Sequence, residues 1–366
     1  MASGVYVTSY RKDMRLLGTM PRRVWLVVLV VVLLYLPTVM EDRNILGYYL
    51  TNAQLLGLGL PQINQALIAI LGAVALNLLV GYAGLLSLGH AAFFAVGAMV
   101  AGIVGTQWGA PFPVALLAAG MAGGVVGTVV GLPSLRVRGL YLLLATLALH
   151  FITLYVFLEY QLDNFGPAGV PFDAPELGPL TIDTDTKWYF LLLVFVVATI
   201  LLSKNLLRTR DGRAFVAIRD HDIAAGSLGV NVAAVKLKAF ALSSFIVSVA
   251  GALFAYNLGT ATRESFTLNF VIEFYAMIII GGMGSLLGAV LGALLWQLLP
   301  GSISTLSGEV DPETPVFGDL LGAYQEQTVL VLFGVLIILI LVFKPEGLNG
   351  IWQSVKRAFV RWPYTT

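Results

Sequence analysis

Long apolar segments without a charged residue constrain this chain more than any other feature. Seven approach the length of a membrane span and contain no Asp, Glu, Lys or Arg, apart from Lys238 at one extreme end: 24–40, 62–80, 113–132, 140–158, 188–202, 237–256 and 328–343. A hydrocarbon core about 30 Å thick is crossed by about 20 helical residues. Only 11% of the 366 residues are charged, against roughly 25% in soluble proteins. The sequence therefore predicts an all-α polytopic membrane protein.

Two further apolar segments are interrupted by glycine. One covers 81–105 and contains GYAGLLSLGH, and the other covers 271–299 and contains GGMGSLLGAVLGALL. Non-helical backbone is tolerated at membrane depth only where protein or a water-filled path covers it. Both segments are therefore predicted to be broken or re-entrant helices, which gives about 8 to 10 transmembrane helices with the uninterrupted segments.

The charged residues divide between alternate loops. One set of loops and tails carries 18 basic and 5 acidic residues, and the other carries 3 basic and 15 acidic residues. The positive-inside rule places the basic set in the cytoplasm, together with both termini. The predicted organisation is a cytoplasmic tail over 1–23, a transmembrane domain over 24–344 with a basic cytoplasmic loop at 204–236, and a cytoplasmic tail over 345–366. Eight full crossings plus a hairpin satisfy this arrangement, as do ten crossings if the hairpin crosses fully.

Several kinds of chemistry are absent from the sequence. The chain has no cysteine and only three scattered histidines, which argues against a metal site. The pair Gly-Lys does not occur, so the chain has no P-loop for ATP. Ionisable candidates inside the membrane reduce to His90 and His150, and both are interpreted as packed or hydrogen-bonded residues. If the chain pumps a solute, the energy must come from a partner protein.

The basic loop contains a candidate docking helix. Residues 208–240 read RTRDGRAFVAIRDHDIAAGSLGVNVAAVKLKAF and predict a short helix over roughly 212–228 that ends at Gly229. Its small residues would fit a cleft on another protein. Alternatively, anionic lipid would hold it at the membrane surface through Arg213 and Arg219. The pattern alone leaves both interpretations open.

Four ordered motifs resemble the LivM-type permease subunits of the branched-chain amino acid ABC importers. They are GYAGLLSLGHAAFFAVGAMVAGIV, VRGLYLLLATLALHFI, DGRAFVAIRDHDIAAGSLGVNVAAVKLKAFALSS and FYAMIIIGGMGSLLGAVLGA, spread over roughly residues 60–300. The resemblance implies a bundle similar to the type II ABC importer permeases. It also implies a permease subunit that imports branched-chain or other hydrophobic amino acids and forms half of the translocation path. Such a subunit is not an enzyme and binds no cofactor, because the partner ATPases use the ATP and Mg.

The same resemblance implies a heteromeric complex in a bacterial or archaeal plasma (inner) membrane. Its other members would be a homologous second permease subunit (LivH-like), two cytoplasmic ABC ATPase subunits and an extracytoplasmic solute-binding protein, with no nucleic acid. Two alternatives stay open. One is a urea or short-amide ABC importer permease, and the other, from a different class, is a stand-alone facilitator or channel.

The resemblance assigns ATPase coupling to eight residues of the basic loop: Gly212, Arg213, Ala217, Arg219, Asp222, Ala224, Ala225 and Gly229. The last three have the Ala-Ala-xxx-Gly spacing of the coupling loops of ABC importers. Ile223, however, stands where that pattern has a glutamate. The docking role is therefore carried over for the segment and not for an individual salt bridge.

The two glycine-broken segments are the candidates for the substrate path, because paired interruptions in the two halves of a transporter indicate a central site. Seven residues are assigned to it: Ser87, Gly89, His90, Thr146, Gly281, Gly282 and Gly284. Close helix packing is the competing interpretation for glycines at small-xxx-small spacing. It is preferred for two runs: Gly123, Gly127 and Gly131, and Gly284, Gly288 and Gly292.

Overall fold

The computed structural model describes residues 20–40, 59–137, 139–309, 325–344 and 346–361. Twelve helices lie in this part of the chain: α1 (Met20–Met40), α2 (Leu60–Leu76), α3 (His90–Gly102), α4 (Phe112–Gly131), α5 (Leu140–Asn164), α6 (Asp185–Arg208), α7 (Arg210–Ser227), α8 (Val232–Leu258), α9 (Leu268–Gly281), α10 (Leu286–Glu309), α11 (Gln325–Phe343) and α12 (Gly347–Arg361). The π turns Asn77–Tyr82 and Ile103–Gln107 extend α2 and α3, and 3-10 turns occur at Pro133–Leu135, Gly166–Ala168 and Arg263–Phe266. Most of the predicted tail over 1–23 lies outside the described residues.

Seven helical segments of the described chain are long and apolar enough to cross a membrane. The count rises to eight if α11 and the start of α12, which are bent by 53°, form one span, and Val27–Thr38 and Leu286–Gly301 are shorter apolar helices. The predicted all-α polytopic fold is therefore confirmed. The interrupted segment over 81–105 begins with an irregular link and continues into a span, His90–Gln107. The interrupted segment over 271–299 is a helical hairpin, α9 and α10.

Helix α8 lies at the centre of the bundle and packs closely against α3 and α4. A Cβ at Gly97 of α3 would overlap the carbonyl oxygen of Ser248 in α8. Gly123 and Gly127 of α4 likewise face the side chains of Ser248 and Ser244. Small residues allow helix backbones to approach closely where no hydrophobic force drives their association. The packing interpretation is confirmed for these α4 glycines.

The hairpin of α9 and α10 is also closed by glycine. Gly288 and Gly292 of α10 lie against the backbone of α9 near Gly281 and Met277, so the packing interpretation holds for them as well. Gly284 differs, because it lies in the link between the two helices and contacts α7 instead. The hairpin link therefore reaches the end of the bundle that carries α7, which is called the α7 end below.

Four two-residue strands mark the opposite end of the bundle, called the strand end below: β1 (Val170–Pro171), β2 (Glu176–Leu177), β3 (Leu180–Thr181) and β4 (Thr260–Ala261). The pairs β1–β4 and β2–β3 are antiparallel, with Val170 opposite Ala261 and Glu176 opposite Thr181. The first pair joins the α5–α6 link to the segment that follows α8.

Charge differs between the two ends. Seven acidic residues lie at the strand end: Glu159, Asp163, Asp173, Glu176, Asp183, Asp185 and Glu264. Ten basic residues lie at the α7 end: Arg136, Lys204, Arg208, Arg210, Arg213, Arg219, Lys236, Lys238, Lys344 and Lys356. At the strand end a hydrogen bond from Lys187 lowers the pKa of Asp183. The sequence also predicts an acidic outer loop over 299–327, whose central part, 310–324, lies outside the described residues.

Glu273 is a correction to the charge map. The sequence placed it in an outer loop, but it lies inside α9, where it hydrogen-bonds Trp296 of α10. It borders a small pocket together with Gln65 and Gln297. The expectation that the histidines are the only ionisable groups inside the bundle is therefore wrong. Apolar neighbours on both sides of Glu273 extend the helix beyond the point where the charge suggested a loop.

Candidate functional site

The helix α7 begins and ends through local backbone chemistry. The hydroxyl of Thr209 accepts a hydrogen bond from the amide of Gly212 at 3.4 Å, which caps the first turn. Gly212 lies so close to the last turn of α6 that a side chain would overlap its backbone. The helix is kinked at His221, where φ is −156° and ψ is 98°, and Gly229 follows it with φ +87°. The helix predicted over 212–228 is thus observed, with a kink in its second half.

One face of α7 is fixed to the bundle. Phe215 and Ile218 are buried in a cluster that includes Leu79 of the α2 π turn and Phe240 of α8. Ala225, after the kink, is buried in the same cluster. Because large apolar side chains hold α7 here, the helix is attached by the protein itself and not by lipid alone.

An ion pair secures the segment after the kink. The Nζ of Lys236 lies 3.7 Å from an Oδ of Asp222 and 3.5 Å from the carbonyl oxygen of Ser134. The Lys236 side chain is 8% exposed and that of Asp222 is 21% exposed, so the lysine is shielded and the carboxylate is partly open to solvent. Asp222, predicted to take part in coupling, therefore holds α7 against the start of α8.

The opposite face of α7 is exposed. It is called the outer face of α7 and consists of Arg213, Val216, Asp220, Ile223, Ala224 and Leu228. Ile223 is 73% exposed and Leu228 is 86% exposed, while Ala217 is half-buried beside them. Sequence reasoning missed Val216 and Leu228, although the apolar Ile223 in place of a glutamate was the signal of an apolar contact surface.

Arg219 and Arg213 are both exposed but contact different parts of the bundle. Its Nη1 donates a hydrogen bond of 2.5 Å to the carbonyl oxygen of Gly81. The same Nη1 lies 2.7 Å from where a Cβ on Gly284 would be, and the side chain passes over Gly84. Arg213 instead donates to the carbonyl oxygen of Arg208 in α6. Sequence reasoning treated the two arginines as equivalent. Only Arg219 joins α7 to both interruptions, which are called the first break (81–89) and the second break (281–285) below.

Asn77 contacts the same two breaks, at Gly81 and at Gly284. It is buried in the first position of the α2 π turn. Its amide nitrogen donates to the carbonyl oxygen of Ser285 at 2.9 Å, and its Oδ1 accepts from the amide of Gly284 at 2.8 Å. We refer to Asn77, Gly81, Arg219 and Gly284 as the junction. A lone amide in an apolar run was its only signal in the sequence.

The structure brings Ser87, Gly89 and Thr146 together at the first break. The hydroxyl of Thr146 accepts from the amide of Leu88 at 2.9 Å, and the hydroxyl of Ser87 accepts from the amide of Gly89 at 3.2 Å. Tyr275 of α9, which sequence reasoning missed, accepts from the amide of Ser87 at 3.0 Å and donates to its carbonyl oxygen at 2.9 Å. The irregular backbone is therefore satisfied by side chains from α5 and α9.

His90 begins α3 and is fully enclosed. Its Nε2 lies 2.9 Å from the hydroxyl of Ser243, which itself donates to the carbonyl oxygen of Ala75 at 2.7 Å. The imidazole therefore donates to Ser243. The prediction that His90 makes a structural hydrogen bond is confirmed. His150 is buried in α5 with its ring against Phe151, which fits the interpretation of a packed residue.

The second break contains Gly281, Gly282 and Gly284. Gly281 lies against the backbone of Gly288, and Gly282 has φ +110° with its Cα beside the carbonyl oxygen of Glu346. The seven residues assigned to the substrate path thus form two groups, one at each break, and the junction connects them. Within the described residues, no group of three or more His, Cys, Asp or Glu is arranged to hold a metal ion.

Comparison with known proteins gives a consistent result. Residues 61–341 match the family model described as "Branched-chain amino acid transport system / permease component". The permease protein LivM of a high-affinity branched-chain amino acid transport system, from Salmonella typhimurium, is 30% identical over 308 residues, which cover 78% of this chain and 68% of the relative.

Two further relatives extend the comparison. A probable LivM permease from Methanocaldococcus jannaschii is 25% identical over 306 residues, covering 79% of this chain and 85% of that one. The autoinducer 2 import system permease protein LsrC of Escherichia coli is 30% identical over 132 residues, covering 34% of this chain and 37% of that one. No solved structure matches the chain.

Proposed function

The chain belongs to the family of permease components of branched-chain amino acid transport systems, and on this premise we propose that it imports branched-chain amino acids. Members of the family are multi-pass permeases of ABC importers and not enzymes, since ATP is hydrolysed by partner ATPases. The proposal takes its substrate class from the names of the LivM relatives. It takes its mechanism from one observation, the contact of Arg219 with both helix breaks.

The outer face of α7 is the proposed docking surface for an ABC ATPase subunit. Exposed Ile223 and Leu228 supply apolar area, and Arg213 supplies a charge at the rim. Interfaces of this kind combine an apolar centre with a polar rim. Gly212, Asp222, Ala225 and Gly229 support the surface from behind, because they fix the position and the ends of α7.

Movement of α7 would reach the membrane domain through the junction. The guanidinium of Arg219 contacts the end of the α2 π turn and the link of the α9–α10 hairpin. Since Asn77 also bonds that link, the two breaks form one connected unit. We propose that ATP-driven displacement of α7 shifts both breaks and opens or closes the substrate path.

The seven path residues would act by setting the shape of this gate. The side chains of Ser87, His90 and Thr146 make hydrogen bonds within the chain. Their proposed role is to hold irregular backbone in a defined conformation. The glycines of the second break would let the hairpin link approach α2 and α7.

The charge distribution supports an orientation. We propose that the α7 end lies in the cytoplasm, because its exposed charges are mostly basic. Ten crossings then follow if the shorter apolar helices and α11 each cross once. Both termini would be cytoplasmic, in a bacterial or archaeal plasma membrane, with short tails over 1–23 and 345–366.

The remaining members of the ABC complex are part of the proposal. A second, LivH-like permease would complete the path, and two ATPases would dock at the α7 ends. The acidic strand end would face an extracytoplasmic solute-binding protein. None of these contacts requires a cofactor on this chain, and ATP and Mg would be bound by the ATPases.

Reconstitution of the complete complex in liposomes tests the function. Leucine uptake is expected to require the binding protein on one side of the membrane and ATP on the side of the ATPase subunits. Leucine-loaded binding protein is also expected to stimulate ATP hydrolysis. Urea offered with the same components serves as the control for the short-amide alternative. Equal uptake by this chain alone, without ATP, would instead identify a facilitator.

A further inference from the structure

The C-terminal helix α12 has an apolar face that the bundle does not cover. Its first residue, Gly347, is buried against the backbone of Gly282. Farther along, Ile351, Trp352 and Val355 are 41%, 54% and 42% exposed. Removing apolar side chains of this size from water is favourable. These side chains are therefore expected to contact lipid or another protein.

The apolar residues form a regular stripe. Four of them share one side of the helix at i, i+3, i+4 and i+7 spacing: Leu348, Ile351, Trp352 and Val355. Gln353 and Lys356 are exposed on the other side. Helix α12 is therefore amphipathic, with its small residue Gly347 toward the bundle, its apolar stripe to one side and its polar residues to the other.

The segment is also basic. Lys344, Lys356, Arg357 and Arg361 accompany a single acid, Glu346, between residue 344 and the end of the chain. Each Lys or Arg near an anionic membrane surface adds about 1 kcal/mol of attraction. The polar side of α12 therefore suits negatively charged headgroups.

Its position brings α12 to the membrane boundary. Helix α11 ends at Phe343, and three residues separate it from α12. Three residues reach at most about 10 Å. The two helices are bent by 53° relative to each other. Because α11 is an apolar span, α12 starts at the level where that span meets the headgroups.

We propose that α12 is a membrane-surface anchor that binds anionic phospholipid. Ile351, Trp352 and Val355 lie among the upper acyl segments, and Lys356 lies at the phosphates. Tryptophan suits this level, because one end of its ring is apolar and the other donates a hydrogen bond. A protein partner is disfavoured because the stripe continues directly from a membrane span.

This anchor packs against α9, α10 and α11 and so contacts the transport machinery directly. The start of α12 lies against Gly282 in the second break. Because Glu346 and Gly347 lie against Gly282, anionic lipid held by α12 restrains the hairpin link. The inference goes beyond the proposed import function and does not depend on the identity of the transported solute.

Single cysteines test the depth of α12, and the chain contains no cysteine of its own. Spin labels are placed at Trp352→Cys, Val355→Cys and Gln353→Cys in the full chain, in nanodiscs of equal parts phosphatidylglycerol and phosphatidylcholine. The labels at 352 and 355 are expected to meet oxygen from the bilayer, roughly 5–10 Å below the phosphates. The label at 353 is expected to meet a water-soluble nickel reagent.

Two outcomes overturn the placement. One is equal access of the nickel reagent to all three labels, which means that α12 lies in water. The other is protection of 352 and 355 from both oxygen and nickel, which means that a protein covers the stripe. If the stripe is protected only in the complete complex, a partner subunit covers it. If it is protected in the isolated chain as well, a second copy of this chain covers it.

Lipid retention tests the charge. The double variant Lys356→Gln with Arg357→Gln is expected to retain phosphatidylglycerol about fivefold less strongly for each charge removed, measured by mass spectrometry of the purified full chain. The charge-preserving pair Lys356→Arg with Arg357→Lys should retain the lipid as the unaltered chain does. Unchanged retention in the glutamine variant, or equal loss in both, overturns the proposal.

Discussion

Helices α7 and α12 lie at the same end of the bundle but face their surroundings in opposite ways. Helix α7 buries Phe215 and Ile218 against the bundle. Helix α12 meets the bundle mainly through its first turn, at Gly347, Leu348 and Gly350, and leaves Ile351, Trp352 and Val355 exposed. Burial of large side chains fixes α7 in position as a docking surface for a protein, whereas the exposed apolar side chains of α12 are available to the bilayer.

The largest expected effect tests whether only α7 docks the ATPase. Ile223→Asp with Leu228→Asp should weaken ATPase binding by about 4 kcal/mol, because apolar anchors in an interface contribute about 2 kcal/mol each. Co-purification of ATPase subunits measures it. Ile351→Asp with Val355→Asp in α12 is the matched control and should leave co-purification unchanged. An equal loss of co-purification from the α12 variant would show that both helices take part in ATPase docking.

A pair of glycines compares how the two helices are attached. Gly282→Ala should lower the free energy of unfolding by about 3 kcal/mol, because a Cβ would overlap the carbonyl oxygen of Glu346 and φ is +110°. Gly229→Ala, at the end of α7, should cost about 1–2 kcal/mol, since φ is +87° but the space is open. Thermal unfolding in detergent measures which variant is destabilised more. A larger loss in Gly229→Ala than in Gly282→Ala would contradict the close contact between Gly282 and Glu346.

The two arginines of α7 separate docking from transmission. Arg219→Gln should remove about 2 kcal/mol of charged hydrogen bonding at the junction, so that leucine uptake per ATP hydrolysed falls while ATPase subunits still co-purify. Arg213→Glu should reduce co-purification instead. The double change Arg213→Glu with Arg219→Glu should weaken ATPase attachment and spare membrane insertion. Normal coupling in Arg219→Gln would show that transmission bypasses the junction.

The smallest expected effect compares a partly shielded charge with an exposed one. Asp222→Asn should lower the free energy of unfolding by about 1 kcal/mol, because the pair is 3.7 Å apart and Asp222 is 21% exposed. Lys356→Gln in α12 should change it by less than about 0.5 kcal/mol, because Lys356 is exposed. Thermal unfolding at low salt measures both. Equal effects would mean that the ion pair adds nothing to the attachment of α7.

The sequence predicted the membrane architecture well because hydropathy accumulates over whole segments. Glycine spacing similarly predicted the contacts of Gly123 and Gly288, since a missing Cβ has one direct steric consequence. Glu273 was misplaced because a single charge was given more weight than its apolar neighbours. The roles of individual coupling residues and the position of the termini stay predictions.

Side-chain direction explains what the sequence left out at the site. Arg213 and Arg219 have the same chemistry, and only the packed bundle decides that one contacts α6 and the other the junction. Asn77 and Tyr275 act on backbone more than 180 residues away in the chain. Local patterns carry no information about such distant acceptors. The apolar stripe of α12 could have been predicted from the helical spacing of its apolar residues. Only the charges of this tail were counted, and a charge count does not show that spacing.

In the π turn of α2, the number of residues matters independently of which residues they are. Each residue rotates a helix by about 100°, and a π turn accommodates one residue more than a regular turn. Deleting one residue between Asn77 and Tyr82 would let α2 continue as an ordinary helix and would rotate Gly81 away from Arg219. Homologous permeases that keep this contact should therefore align through the turn without gaps, even where its side chains differ.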